Sequence, residues 1–211
     1  MPRLRLWNLY GQTEIAPLAT VLKPEDQFRK AGSIGTPTLH VDTRVVNEDM
    51  DDVTVGETGD IVHRSPQLLI GYFNAPDITA SAFAGDWLHS GDLATVDDEG
   101  DITVVDRKKD MIKTGGENVS SRKVEEVIYR LEGVSEVAVI GLPDPSWIEA
   151  VTAVVVPKSG VTLDENTRIS HCRERMAHFK VPKRVIVTDA LPTNPSGKVL
   201  KRELRLRYQA S

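Results

Sequence analysis

Acidic and basic residues are divided unequally along this chain of 211 residues. Residues 1–106 contain 7 Lys/Arg and 18 Asp/Glu, a net charge of −11, whereas residues 107–211 contain 19 Lys/Arg and 13 Asp/Glu, a net charge of +6. A change of sign at one point of the chain suggests two folding units with different tasks. We therefore predict a boundary near residue 106, with enough chain on each side for a separate core.

The acidic part has the alternating apolar pattern and the turn residues of a β-rich fold. Its predicted strands are Val41–Val46, Gly59–His63, Ala94–Asp97 and Asp101–Val105. The last two flank Asp98-Glu99-Gly100, where glycine suits the positive φ of a hairpin turn. Pro76–Phe83 is predicted as a short helix with Asp77 as its cap.

The basic part alternates between helix and strand patterns. Apolar residues at helical spacing predict a helix at Lys123–Leu131, directly after Ser120 and Ser121. Two further helices are predicted at Leu163–Met176 and Val199–Arg207, and three strands at Val134–Leu142, Ala150–Val156 and Arg184–Thr188. The predicted fold class is therefore mixed: a β-rich, barrel-like part followed by a small α+β unit, a three-stranded sheet with helices.

Composition argues against several classes of protein. Apolar runs such as Val151–Val156 are too short to span a bilayer, so no transmembrane segment is expected. The single cysteine, Cys172, excludes an internal disulfide and favours the reducing cytoplasm. The basic part has few aromatic residues and no nucleic-acid-binding motif, so a phosphorylated small molecule is a better partner than nucleic acid.

Four segments carry side chains suited to phosphate chemistry. Tyr10-Gly11-Gln12-Thr13-Glu14 combines groups that can stack on a base, let a phosphate approach the backbone, bind that phosphate and hold a magnesium ion. Asp92 follows a glycine, where a carboxylate can accept two hydrogen bonds from a diol. The basic run Asp106–Lys113 leads into Gly115-Gly116, and Lys198 lies in a loop beside Gly197. Each segment alone also fits an ordinary turn or solvated loop, and only their order along the chain indicates a common function.

In this order the segments resemble those of the adenylate-forming superfamily: acyl-CoA synthetases, adenylation domains and beetle luciferases. Tyr10–Glu14 resembles the Tyr-Gly-x-Thr-Glu signature, and Asp92 the aspartate of a Gly-Asp motif. Residues 106–116 resemble the hinge and the glycine-rich hairpin, and Pro192–Arg202 the terminal Pro-x-x-x-x-Gly-Lys segment. The resemblance extends from Leu6 to Leu204 and is closest to fatty-acyl-CoA ligases.

The resemblance implies a role for each matched residue. In the acidic part, Tyr10 would stack on adenine, with Gly11 beside it in the nucleotide site. Thr13 would bind phosphate and Glu14 would hold Mg²⁺, and both would take part in catalysis. Asp92 would bind the ribose. In the basic part, Arg107 would contact the ribose and Lys109 would be the hinge residue. Lys113 would approach a nucleotide or CoA phosphate, and Gly115 and Gly116 would line a pantetheine tunnel. Lys198 would be catalytic.

The implied reaction has two halves and a moving domain. A carboxylic acid, expected to be a fatty acid, is activated by Mg·ATP to an acyl-adenylate and AMP is then displaced by coenzyme A. Residues 1–106 would be the β-rich end of a large AMP-binding domain, and residues 107–211 a mobile carboxy-terminal domain with its hinge at 107–110.

The position of the first signature predicts that this chain is the back part of an enzyme. In the resembled family that signature lies more than halfway along the protein, whereas here it begins at Tyr10. The sequence contains no counterpart of the family's glycine- and Ser/Thr-rich phosphate loop, and the acyl pocket would lie upstream. The chain alone is therefore expected to be inactive without an amino-terminal half.

Three alternatives remain open at the level of sequence. One is an adenylation domain that loads a carrier protein, for which a carrier-protein motif or further domains would be expected after residue 211. The oxidative luciferase branch would differ in a pocket upstream of Tyr10. The third is a non-catalytic nucleotide-binding module, although a module of this kind has no need to retain Asp92, Arg107 and Lys198.

Overall fold

The chain forms two compact units, Met1–Lys108 and Lys109–Ser211. The computed structural model describes residues 4–161 and 170–209. Most of the helix predicted at Leu163–Met176 lies outside the described residues, and residues 170–173 of it are helical. No helix within the described ranges is long and apolar enough to cross a membrane.

The first unit is built from two sheets. Its strands are Asn8–Tyr10 (β1), Thr20–Leu22 (β2), Thr36–Pro37 (β3), Asp42–Val46 (β4), Gly59–Arg64 (β5), Phe83–Ala84 (β6), Trp87–Val96 (β7) and Ile102–Arg107 (β8). β1, β2 and β3 form a three-stranded antiparallel sheet, and β4, β5, β7 and β6 follow one another in a second sheet in which β8 also pairs with β7. The predicted strands thus lie within this β-rich unit.

The β7–β8 hairpin brings distant residues opposite each other. Gly100 has a φ of 84° in its turn, as predicted, and the Asp97 carboxylate accepts the N–H groups of Glu99 (3.0 Å) and Asp101 (2.9 Å). The turn sets a register that pairs Ala94 with Val104, and an irregularity between Leu93 and Ala94 then shifts the pairing by one residue, so that Asp92 lies opposite Arg107. A local hairpin therefore places a carboxylate beside a guanidinium 15 residues further along the chain.

The short helix of the first unit differs from its prediction in one respect. It runs from Pro76 to Ala82 (α1), close to the predicted range. Its N-cap residue is Ala75, without a side-chain cap, and Asp77 lies within the first turn. The prediction that Asp77 caps this helix is wrong, because proline at the first helical position already starts the helix with its fixed φ.

The second unit is a sheet with helices. Its strands are Ile112–Thr114 (β9), Glu117–Val119 (β10), Val134–Asp144 (β11), Ile148–Pro157 (β12) and Arg184–Val187 (β13), and its described helices are Ser121–Tyr129 (α2) and Lys201–Tyr208 (α3). The three predicted strands are β11, β12 and β13, with β11 antiparallel and β13 parallel to β12. The β9–β10 hairpin extends this sheet through a pairing of Thr114 with Ile148. The predicted mixed fold class is confirmed.

The central strands of the second unit are buried on both faces. Val139 of β11 packs in one cluster with Ile128 of α2, whereas the adjacent residue Ile140 packs in another with Leu204 of α3. Strands covered on both sides have continuous apolar runs instead of an alternating pattern. This explains the run Val151–Val156, in which every residue is buried.

Ile148 has an unusual backbone conformation at the start of β12. Its φ is 69°, in the left-handed region that β-branched residues rarely adopt, and its side chain is 67% exposed. The left-handed conformation costs a residue with a Cβ atom about 1–2 kcal/mol. Little packing offsets this cost, so Ile148 is a point of stored strain.

We expect Ile148→Gly to stabilise the protein. Relief of the strain outweighs the extra entropy that glycine loses on folding, which leaves a net gain of about 0.5–1 kcal/mol in the free energy of unfolding. Urea denaturation of the second unit measures this change. Ile148→Ala is the matched control, since it shortens the side chain but keeps the Cβ atom and should show no gain; a less stable glycine variant would contradict the assignment of strain.

Candidate active site

The Tyr10–Glu14 segment turns sharply at the end of β1. A Cβ atom on Gly11 would lie 1.8 Å from the carbonyl oxygen of Pro17, so only glycine fits there. The chain then forms a turn of 3-10 helix at Thr13–Ile15, and the fully buried Ile15 fixes it to the core. The turn presents Thr13 at the surface and Glu14 in a half-buried position.

The carboxylate of Asp92 is contacted by side chains from several parts of the first unit. It is only 5% exposed. Its Oδ2 atom accepts hydrogen bonds from Tyr10 Oη at 2.7 Å and from Gln12 Nε2 at 3.3 Å, and its Oδ1 atom lies 3.1 Å from Arg107 Nε. Gln12 Nε2 also donates to the carbonyl oxygen of Ser90 at 2.8 Å. The fold thus brings Tyr10, Asp92 and Arg107 together.

The hydrogen bonds to Asp92 limit what else it can accept. A carboxylate has about four acceptor positions, and the three described donors leave one of them on Oδ1. A ligand diol that donates twice must therefore displace a present donor, and the Gln12 contact is the longest of the three. Burial and the Asp92 charge raise the pKa of Tyr10 well above its ordinary value, so its hydroxyl keeps its proton.

Glu14 points toward a different partner. Its Oε1 atom accepts a hydrogen bond from Tyr72 Oη at 3.0 Å, and its backbone carbonyl accepts from Leu69 N at 2.8 Å. Burial and Glu14 raise the pKa of Tyr72. Among residues 4–161 and 170–209, no side chain donates a hydrogen bond to the second carboxylate oxygen of Glu14. Among the described residues, no group of three His, Cys, Asp or Glu side chains could hold a metal ion without help.

His63 lies behind the ring of Tyr10. The two rings are 6.1 Å apart, and the imidazole is completely buried. Nδ1 of His63 lies 3.0 Å from Thr43 Oγ1, whereas no described group lies within hydrogen-bonding distance of its buried Nε2. Burial lowers the pKa of His63 to about 4, so the ring is neutral at pH 7.

The residues on either side of Lys109 are held in different units. Before it, Lys108 Nζ lies 3.1 Å from Oδ2 of the buried Asp60 in the first unit. After it, Asp110 Oδ1 accepts from Arg205 Nη2 at 2.7 Å in the second unit. Lys109 is thus the first residue of the second unit, between two anchored neighbours.

The glycine-rich hairpin is held by Trp147 and Glu149, the residues on either side of the strained Ile148. Gly115 and Gly116 have φ values of 57° and 85°, which demand glycine. Gly115 N donates to the carbonyl oxygen of Trp147 at 2.9 Å, and Lys113 N donates to Glu149 Oε2 at 2.7 Å. Two glycines and the exposed Lys113 therefore share one hairpin with a defined position on the sheet.

Lys198 lies in a separate loop between β13 and α3. Its side chain is exposed, and a pairing of Thr193 with Val199 closes the loop. Gly197, next to Lys198, has a φ of 81°. Within the second unit, the structure thus presents Lys113 with Gly115 and Gly116 on one hairpin and Lys198 on another loop.

Comparison with known proteins identifies the family. Residues 1–73 match the AMP-binding enzyme family, and residues 123–198 match the AMP-binding enzyme C-terminal domain. The chain belongs to the adenylate-forming superfamily. Its similarity to acid–CoA ligases of this superfamily extends over nearly all of its length.

Three relatives illustrate the range of this similarity. The feruloyl-CoA synthase of Amycolatopsis is 46% identical over 199 residues, which are 94% of this chain and 40% of the relative. The long-chain-fatty-acid–CoA ligase FadD13 of Mycobacterium tuberculosis is 44% identical over 202 residues, 96% of this chain and 40% of the relative. The structure of ATP-bound MatB from Rhodopseudomonas palustris superposes with a TM-score of 0.88 at 36% identity, over 97% of this chain and 41% of MatB.

The chain spans about 40% of the length of these adenylate-forming relatives. The roles that the resemblance assigns to individual residues are therefore proposals about a larger assembly. The structure adds three residues that the motifs did not single out: Gln12 and His63 beside the Asp92 cluster, and Tyr72 against Glu14. Tyr72 lies outside the four segments, and only the tertiary contact reveals its partner.

We expect His63 to make the stability of the protein depend on pH. Its pKa is about 4 in the folded state against about 6.5 in an unfolded chain, so the unfolded state binds more protons as the pH falls. The contribution is complete above pH 6.5 and is lost as the pH falls toward 4, by up to about 3 kcal/mol. Denaturation of the parent and of His63→Leu at pH 4, 5 and 7 measures it.

The quantity to compare is the change in the free energy of unfolding with pH, and not the absolute stability of each variant. His63→Leu should show a smaller loss of free energy of unfolding between pH 7 and 4 than the parent. His178→Gln, which alters an exposed histidine of the second unit, should leave the slope unchanged. Equal slopes for His63→Leu and the parent would show that the buried ring is protonated in the folded state.

Proposed function

We propose that this chain provides the ribose clamp, the hinge and the mobile catalytic lysine of an acid–thiol ligase that forms AMP. The full enzyme would activate a carboxylic acid with Mg·ATP and transfer the acyl group to coenzyme A. The observation that carries the proposal is the convergence of Tyr10, Gln12 and Arg107 on the buried Asp92. These residues come from three separate parts of the sequence.

The Asp92 cluster suits the ribose and base of ATP or AMP. A buried carboxylate with one free acceptor position can bind a ribose hydroxyl, and displacement of Gln12 would free a second position. Arg107 is 40% exposed on its side chain and can contact both Asp92 and the sugar. The ring of Tyr10 would stack on adenine, with its hydroxyl fixed by Asp92.

Glu14 is the proposed ligand of the magnesium ion. Mg²⁺ is commonly bound by one or two carboxylates together with substrate phosphates, and Glu14 offers one carboxylate steadied by Tyr72. Bound there, the ion would neutralise phosphate charge. Thr13, exposed beside Glu14, would donate its hydroxyl to a phosphate oxygen.

Lys198 would supply the positive charge of the first half-reaction. A carboxylate oxygen attacks the α-phosphorus, the bond to the bridging oxygen breaks, and pyrophosphate leaves. Since two anions must approach each other, an ammonium group that contacts both lowers the barrier. Lys198 is exposed at the end of a loop and can play this part.

The second half-reaction would use a different loop of the second unit. A thiol attacks the acyl carbon, the bond to the phosphate oxygen breaks, and AMP leaves. We propose that the second unit turns about Lys109, within a hinge at 107–110, and presents Gly115 and Gly116 to the pantetheine arm while Lys113 approaches a phosphate. The anchoring of Lys108 and Asp110 in different units supports this hinge.

A fatty or other apolar acid is the proposed substrate class. FadD13 is a long-chain-fatty-acid–CoA ligase by name and the Amycolatopsis relative a feruloyl-CoA synthase, so both names specify an acid with an apolar body. Coenzyme A is the proposed thiol for the same reason. A cytoplasmic location remains a prediction from the single cysteine.

We expect efficient catalysis only when the chain is joined to the rest of an adenylate-forming enzyme. The test replaces the matching 202 residues of FadD13 by this chain and measures ATP–pyrophosphate exchange and acyl-CoA formation with fatty and aromatic acids. The chimera should be active and the isolated chain inactive, since the phosphate loop and acyl pocket are supplied only in the chimera. Rapid exchange by the isolated chain would contradict this dependence.

The nucleotide clamp can be tested on the isolated chain without turnover. We expect calorimetry to detect AMP binding that Asp92→Asn weakens at least about tenfold, because the amide loses the Arg107 ion pair and part of its acceptor capacity. Asp86→Asn, at an exposed position of the same unit, is the matched control and should leave binding unchanged. Absence of AMP binding together with an inactive chimera would overturn the proposed function.

A further inference from the structure

The backbone of Lys198 is held by a single residue. Lys198 N donates to the side-chain oxygen of Asn194 at 2.8 Å, and Lys198 O accepts from Asn194 N at 2.9 Å. One residue thus satisfies both backbone polar groups of the proposed catalytic lysine. The two backbone groups of Lys198 are thereby fixed relative to Asn194, and the direction in which the side chain leaves the loop follows from them.

The side-chain oxygen of Asn194 organises the rest of the loop. It also accepts hydrogen bonds from Ser196 N at 3.1 Å and Ser196 Oγ at 2.8 Å. Because two backbone N–H groups can only face an oxygen, these contacts determine the orientation of the amide. Gly197 N donates to Asn194 O at 2.9 Å, so residue 194 is bonded to each of the three residues 196, 197 and 198.

Both ends of the loop are fixed independently of Asn194. Leu200 N donates to the carbonyl oxygen of Pro192 at 2.8 Å, which joins the two ends of the loop to each other. Beyond it, Lys201 Nζ lies 2.7 Å from both Glu125 Oε1 and Ser121 Oγ of α2, which holds the start of α3. With its ends fixed, the remaining freedom of the loop is at residues 194–198, where the Asn194 side chain acts.

We propose that Asn194 is a positioning residue for Lys198 and sets the rate of the adenylation half-reaction. It would not touch substrate: its amide oxygen would hold the loop in the conformation from which the ammonium group reaches both reacting anions. Displacement of a catalytic group by about 1 Å can cost roughly a hundredfold in rate. The inference rests on the proposed function, because it assumes that Lys198 acts in adenylation.

The first test needs no activity. In the isolated chain, Asn194→Ala should speed the amide exchange of Lys198, measured by NMR, and the tryptic cleavage after Lys198. Asn194→Asp retains an oxygen acceptor at the same place and should restore both values to within about threefold of the parent. Unchanged exchange and cleavage in Asn194→Ala would overturn the inference, whatever the enzyme does.

The second test uses the FadD13 chimera with a saturating acid. Asn194→Ala should lower kcat for ATP–pyrophosphate exchange about 10- to 100-fold, with KM for ATP within about twofold, and Asn194→Asp should recover most of the rate. Thioester formation from preformed acyl-adenylate should be unchanged, because that step does not use Lys198. Thr193→Ala, an exposed neighbour, is the matched control.

A Lys198→Ala chimera distinguishes the two possible failures. If Lys198→Ala abolishes exchange but Asn194→Ala keeps the parent rate, the positioning role is wrong and the proposed function stands. If Lys198→Ala keeps the parent rate, the proposed role of Lys198 is wrong and the inference falls with it. Loss of thioester formation as well as exchange in Asn194→Ala would indicate general disruption of the second unit and would also overturn the positioning role.

Discussion

The buried carboxylate of Asp92 is the constraint on which the first unit depends. A buried charge costs several kcal/mol unless donors compensate it, and here they come from β1, from the turn after it and from β8. The three-stranded sheet and the five-stranded sheet are therefore joined by the same group that would bind a ribose. Folding and the proposed nucleotide binding would therefore share one carboxylate, so a change at Tyr10 or Arg107 would affect both.

The candidate groups of the second unit are carried by loops on a rigid sheet. β11 and β12 are covered on both faces, which gives the attached loops a firm base. Each loop is then held by a side-chain acceptor: the Glu149 carboxylate, 36 residues away in sequence, for the glycine hairpin, and the Asn194 amide oxygen, from within the loop, for Lys198. Such contacts let a small unit present two different chemical groups, each with its own support.

Much of the local structure could be predicted from the chain itself. The spacing of apolar residues and the residue types at turns predict the turn at Gly100, the strands β4, β5 and β11 to β13, and the helix after Ser120. The cap of α1 was missed because Pro76 already starts that helix. The β9–β10 strands are three residues each, too short for a periodic pattern, and their place on the sheet depends on the pairing with Ile148.

The family, the division of charge and the residues of the four segments could be predicted from residue types and their order along the chain. Which of these residues contact one another depends on the tertiary fold. Asp92 lies about 80 positions from Tyr10 and Gln12, and no local pattern encodes their contact. The same holds for Tyr72 with Glu14 and for the burial that keeps His63 neutral, since both depend on how separate segments of the chain pack together.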